Sequence, residues 1–177
     1  MLSSDRGRLW SSWLTVGLVP LAAALGLAAC TVQPLYGPGP TGSAVAGTLS
    51  SLTIDPVTDR IAQLVRNELI TDFGAGPANA KYRLTLSVVA VNGALGVTKV
   101  ESAPVYTVTV SATYALRSVA TGDIVLRDTS TGTASWDYTN QLYANDRALI
   151  DARKRAAMLA ADDIRVRLAT AAARGTI

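Results

Sequence analysis

Between Lys81 and Tyr138 apolar and polar residues alternate with the period of a β-strand, while on either side of that region apolar positions recur at helical spacing. In 81–92, Tyr82, Leu84, Leu86, Val88 and Ala90 fall on one face, with Arg83, Thr85, Ser87, Val89 and Val91 on the other. A loop over 92–103 carries Gly93, Gly96, Lys99 and Glu101. The alternation resumes over 105–119, with Tyr106, Val108, Val110, Ala112, Tyr114 and Leu116 inward. Thr121-Gly122-Asp123 then predicts a hairpin loop, and the chain returns through Ile124, Leu126, Ser130, Ala134, Trp136 and Tyr138. These three strands form an antiparallel meander. Before them, 48–54 reads as a short strand. Asp55-Pro56 predicts a helix start, with the aspartate accepting free N–H groups and the proline at the first helical position. Val57, Ile61, Leu64, Val65, Leu69 and Phe73 make the stripe of that helix, and Gly74 stops it. A long helix over 141–172 closes the chain, striped by Leu149, Ala152, Ala156, Ala160, Ile164, Leu168 and Ala171. Arg153 and Arg167 also project towards this stripe, so their charges must reach solvent or a carboxylate. The order is β-α-β-β-β-α, with a right-handed crossover through the first helix setting strand 48–54 parallel to another strand.

The outward faces of the meander hold Thr85, Ser87, Thr107, Thr109, Ser111, Thr113, Thr129, Thr131, Thr133 and Ser135, with Arg83, Arg117 and Arg127 as their charges. Solvated sheets usually show more Lys and Glu to discourage edge pairing. Two explanations stand side by side: the strand propensity of threonine, and a face that lies on another protein.

The N-terminus follows a different pattern. Arg6 and Arg8 precede an uncharged run from Trp10 to Ala29, which ends on small residues and the only cysteine, Cys30. That is the layout of an export signal. Its length also reaches that of a membrane span, but Ser11, Ser12, Thr15, Gly17, Pro20 and Gly26 dilute it and favour a cleaved leader over 1–29. Leu27-Ala28-Ala29-Cys30 resembles the bacterial lipobox, which implies acylation of Cys30 and cleavage before it. Several acyl chains make attachment durable where a single chain holds only marginally. Thr31, in place of aspartate, implies by the same resemblance transfer to the outer membrane. Residues 30–47, rich in Pro, Gly, Ser and Thr, read as a lipidated flexible tether, and 48–177 as one domain. Leu35 and Tyr36 are large for a spacer, and a local docking contact explains them as well as any function does.

Charge and composition narrow the function. The net charge is +3, with no basic clustering of the kind nucleic-acid binding requires. Arg153-Lys154-Arg155 has Asp151, Asp162 and Asp163 nearby and reads as a solvated helix face. No histidine is present, which removes the commonest general base and metal ligand. No serine sits in a Gly-x-Ser-x-Gly turn, and the carboxylates form no motif. No cofactor or metal is expected, and the chain reads as an anchored binding or scaffolding module rather than an enzyme.

Cys30-Thr31-Val32-Gln33-Pro34-Leu35-Tyr36-Gly37 resembles the mature start of the alphaproteobacterial lipopolysaccharide-assembly lipoproteins, the LptE family, in which Pro-Leu-Tyr-Gly closely follows the acylated cysteine. Similar too is the run from Tyr138 through Tyr143-Ala144, Ala148, Asp151-Ala152, Arg155-Ala156, Leu159-Ala160, Ile164 and Leu168. Thr31-Val32 departs from the glycine and aromatic more usual there. The resemblance implies an α+β fold, two helices packed on one face of a four-stranded mixed sheet. It further implies a non-enzymatic outer-membrane lipoprotein that plugs the LptD barrel, helps it assemble and contacts lipopolysaccharide. A lumen-enclosed face would be polar and uncharged, like the threonine-rich surface. Lys99, Arg117 and Arg127 are the candidate contacts for lipid A phosphates, on charge complementarity. Two alternatives remain: an auxiliary lipoprotein of an ABC-type lipid transporter, and an anchored periplasmic hydrolase.

Overall fold

The computed structural model describes residues 40–94 and 105–177, all within one unit spanning Leu35–Ile177. Cys30, the leader and most of the tether, together with Lys99 and its loop, lie outside the described residues. Seven elements follow one another: α1 (Pro40–Ser50), β1 (Leu52–Ile54), α2 (Arg60–Phe73), β2 (Tyr82–Ala94), β3 (Val105–Ser118), β4 (Ile124–Asp137) and α3 (Leu142–Ala173). The sheet runs β1-β2-β3-β4, with β1 parallel to β2 and the other pairs antiparallel. The α+β class, the mixed sheet and the meander therefore follow the sequence reading.

Three boundaries differ from it. The tether reading does not hold from residue 40 onward, where α1 occupies 40–50. Pro40 stands at its first position, and Val45 and Leu49, one turn apart, bury against the core. Packing, rather than propensity, makes a helix of this Gly- and Ser-containing stretch. The strand expected over 48–54 shrinks to three residues, because α1 takes its first half.

The second helix begins at Arg60 rather than at Asp55-Pro56. Asp55 is still tied to the sheet, its N–H donating to the Leu84 carbonyl at 2.9 Å. Its carboxylate pairs with Arg83 at 2.8 Å, and its carbonyl accepts from Arg66. Asp59, with extended backbone, is the cap instead, accepting from the Ile61 and Ala62 amides at 2.8 and 3.0 Å. Gly74 ends the helix at φ 88°, as a positive-φ position requires.

The core lies between the sheet and the helices. Val108, Val110, Ala112, Tyr114 and Leu116 of β3 meet Ala152, Ala156, Ala160, Ile164 and Leu168 of α3, with Val65 and Leu69 of α2 and Leu84 of β2 beside them. The alanines bring α3 close to the strands, and Gly132 of β4 is where they touch. A Cβ at that position would stand 2.6 Å from the Ala160 amide nitrogen and closer still to the Ala156 carbonyl oxygen. Only glycine fits there. At the start of α3, Gln141 gives no side-chain cap. Asn145 supplies the order instead, accepting from the Thr139 N–H and donating to the Thr139 carbonyl, both at 2.8 Å.

Candidate functional site

All three helices leave the opposite face of the sheet open, and the alternation of the long strands decides what appears on it. Cross-strand register sets Ser87, Thr113 and Thr129 in one row, Val89, Ser111 and Thr131 in the next, and Val91, Thr109 and Thr133 in a third. Thr109 and Thr133 share a hydroxyl hydrogen bond at 3.1 Å, and Thr113 and Thr129 another at 3.0 Å. The Thr85 hydroxyl donates to the Ala115 carbonyl at 3.2 Å. Through these three rows the face is hydroxyl-lined and uncharged, with Val89 and Val91 as its exposed apolar residues.

Positive charge gathers at one end. Arg83 lies directly opposite Arg117, and Arg127 lies opposite Ala115 in the neighbouring row. The structure thus places Arg117 and Arg127 on the same face and at the same end of the sheet, and adds Arg83, which sequence reasoning did not select. Strand parity already put Arg83 on this face, but its place beside Arg117 depends on a register the sequence does not state. Arg83 is partly neutralised by Asp55, and Arg117 donates to the Gly122 carbonyl of the hairpin. Arg127 is exposed. Cys30 and Lys99 fall outside the described residues, so neither joins this geometry.

Beneath the face, the other predicted charge finds its partners. Arg167 bridges Asp128 of β4 and, at 2.9 Å, Asp163 one turn earlier on α3. The Thr129 amide, then Arg167, hold the Asp128 carboxyl below its usual range, and the hydrogen bonds that Arg167 donates to Asp128 and Asp163 raise its own pKa. Tyr114 beside them is only 1% exposed. Burial first, and then the Asp128 charge, push its phenol up to about 12. Ser130 lies close enough to favour the phenolate slightly, yet neither hydroxyl makes a hydrogen bond of good geometry. Arg153 differs from Arg167, since its Nε is buried without a hydrogen-bond partner.

Among the described residues no group of three or more His, Cys, Asp or Glu is placed to hold a metal ion. A recess of about 320 Å³, lined by Ala46, Leu49, Ser50, Asp72, Phe73 and Arg165, lies within the helical layer and not on the open face. No described helix is long and apolar enough to cross a membrane.

Fold and face together define an α+β domain that presents an extended hydroxyl-lined surface, with its helices kept to the other side. The family model for LptE, lipopolysaccharide-assembly, matches residues 48–168, and the chain belongs to that family. Among solved structures, it is similar to a chain from Caulobacter crescentus CB15 assigned as a lipoprotein, at 25% identity and a TM-score of 0.61, covering 74% of this chain and 97% of that one. A minor lipoprotein from Acinetobacter baumannii aligns at 13% identity and a TM-score of 0.47, over 70% of this chain and 89% of that one. No curated protein sequence matches the chain.

Proposed function

We propose that this chain is an outer-membrane lipoprotein, anchored through Cys30, that plugs the LptD barrel and assists its assembly in lipopolysaccharide transport. The observation that carries this reading is the open face. Three strands present hydroxyls in matched rows, without the lysines and glutamates that keep a solvated sheet apart from other chains. A hydroxyl-lined surface exchanges hydrogen bonds with a polar barrel lumen without burying unpaired charge. Membership of a lipopolysaccharide-assembly family supports the same direction.

Arg117 and Arg127, with Lys99, are the proposed contacts for lipid A phosphates, on charge complementarity. Charge reversal at Lys99 and Arg117 is expected to weaken lipopolysaccharide binding. Unchanged binding would remove that assignment.

The test of the main reading is recovery of partners from membranes with the tagged lipoprotein, under conditions that preserve outer-membrane complexes. Co-recovery of the LptD barrel supports it. Recovery of inner-membrane transport proteins instead would favour an auxiliary lipoprotein of a lipid transporter, and no barrel at all would sink the plug.

A further inference from the structure

The positive charge of the hydroxyl face is collected in one place, and there the sheet does what strands ordinarily avoid. Arg83 of β2 stands directly opposite Arg117 of β3, and like charges so placed repel one another. Arg127 of β4 lies on the diagonal, opposite Ala115, where same-face neighbours are about 7–8 Å apart. Exposed Lys81 adds a fourth positive group one row further out, where Val119 continues the ladder by donating to the Lys81 carbonyl at 2.9 Å. A local cost kept at an exposed strand end points to something met there rather than to the stability of the sheet.

The three guanidinium groups still have donors to give. Asp55 takes one arm of Arg83, Nη1 to Oδ1 at 2.8 Å, and the Arg83 side chain stays 54% exposed. Asp55 is itself fixed from behind, its N–H on the Leu84 carbonyl and its own carbonyl accepting from Arg66 Nε at 3.0 Å. Arg117 gives Nη1 to the Gly122 carbonyl of the hairpin. A guanidinium carries five N–H donors in a planar fork, so one fixed arm aims the others without using them. The exposed Arg127 side chain makes no ion pair or hydrogen bond among the described residues. Asp128 beside it is taken from the other side by Arg167. The ladder also slips between Leu116 and Arg117, which brings Ile124 opposite Arg117, and such bulges re-aim side chains. Ile124 and Val119, 41% and 52% exposed, border the arginines with apolar surface.

We propose that Arg83 joins Arg117 and Arg127 in seating one phosphomonoester of lipid A, and that Asp55 is the built-in competitor of that phosphate for Arg83. The inference rests on the reading of Arg117 and Arg127 as lipid A contacts, and it adds the third guanidinium and the means of release. A phosphomonoester offers three oxygens and close to two negative charges, which match three forks and relieve the repulsion between Arg83 and Arg117. A phosphodiester has one charge and fewer free oxygens, so it fills the seat less well. The apolar part of the lipid continues over Val119 and Ile124. Asp55 pairs with Arg83 while the seat is empty and repels the phosphate once it arrives, which keeps the hold loose enough for cargo to leave.

The test titrates the full-length lipoprotein, in neutral detergent, with lipid A, with dephosphorylated lipid A and with phosphatidylglycerol. Arg83→Gln is expected to weaken lipid A binding about tenfold, the weight of one charge-assisted pair. Asp55→Asn is expected to tighten it about two- to fivefold, as loss of a close, partly exposed charge does. Neither variant should alter binding of the dephosphorylated form, and phosphatidylglycerol should bind more weakly and gain less from Asp55→Asn. A carboxylate that only braced the strand would give unchanged or weaker binding on removal, and that result in a folded Asp55→Asn protein would overturn the proposal. So would phosphatidylglycerol matching lipid A in both affinity and gain. If Asp55→Asn does not fold, Arg83→Lys decides, since it keeps the charge and loses the fork. Its lipid A binding is expected to fall several-fold, and wild-type binding would overturn the proposal. Arg117→Gln and Arg127→Gln separate the two levels. If both leave lipid A binding intact, the underlying reading fails, whereas if they weaken it and Arg83→Gln does not, only the present inference fails.

Discussion

The two faces of β3 are built from the same strand, residue by residue in alternation, yet they obey different rules. Towards the helices, Val108, Val110, Ala112, Tyr114 and Leu116 are fully buried, and Gly132 of β4 touches the α3 backbone with no room for a methyl group. Away from the helices, Thr109, Ser111 and Thr113 stand opposite Thr133, Thr131 and Thr129, and the hydroxyls of the first and last pairs hydrogen-bond across the strands. Stability is concentrated on the first face, and the second is free to be specified by what it meets. Substitutions that separate the two kinds of cost test that division.

The largest effect is expected at Gly132→Ala. Its Cβ would strike helix backbone rather than a side chain that can swing aside, so α3 must lift from the sheet, at a cost of about 3 kcal/mol or more, near the upper end for overpacking. Thermal or denaturant unfolding measures it, and a change under about 1 kcal/mol would contradict the close approach. Leu116→Ala, a cavity in the same layer, is expected to cost roughly 2–5 kcal/mol in the same experiment.

Next in size is Asn145→Ala, which strips the Thr139 backbone of both its partners at the entry to α3 and is expected to cost about 1–3 kcal/mol. Tyr114→Phe is smaller and differs in sign. Its hydroxyl is buried without a well-formed hydrogen bond, so removal is expected to be neutral to slightly stabilising at neutral pH. With the folded phenol held near 12 against 10 in the unfolded chain, the folded state keeps a proton that the unfolded state gives up. Stability from this group is complete below about pH 10 and falls as pH rises towards 12. Denaturant titrations across pH 9 to 11 are expected to show a steeper alkaline loss for the wild type than for Tyr114→Phe, and identical slopes would contradict it.

Smallest for the fold is Cys30→Ala. It is expected to release the protein from membranes on fractionation and to leave the unfolding transition where it was, since the core described here draws on residues from 45 onward. A variant that unfolds, or that stays membrane-bound, breaks the separation of anchor from domain.

Much of this division was legible in the chain. Period-two alternation gave both faces of β2, β3 and β4, and the helical stripe of α3 was readable because its alanines repeat every fourth residue. Arg167 had to reach solvent or a carboxylate, and the fold supplies the carboxylates of Asp128 and Asp163. What failed were features settled by tertiary contact. Val45 and Leu49 form a helix only because α2 and α3 offer them a surface, and Asp55 loses the role of cap to Asp59 because the sheet holds its amide. The row joining Arg83 to Arg117 depends on register, which no local pattern encodes.

The central claim, that the hydroxyl-lined face is the surface on which the partner barrel closes, is tested most directly by Thr131→Lys in the middle of that face. The protein should keep the wild-type unfolding transition within about 0.5 kcal/mol, as an exposed substitution does. It should nonetheless lose most of the LptD barrel recovered with the tagged wild type, while Lys154→Glu on the exposed side of α3 recovers it in full. Barrel recovery undiminished by Thr131→Lys, or lost equally with Lys154→Glu, would contradict the account.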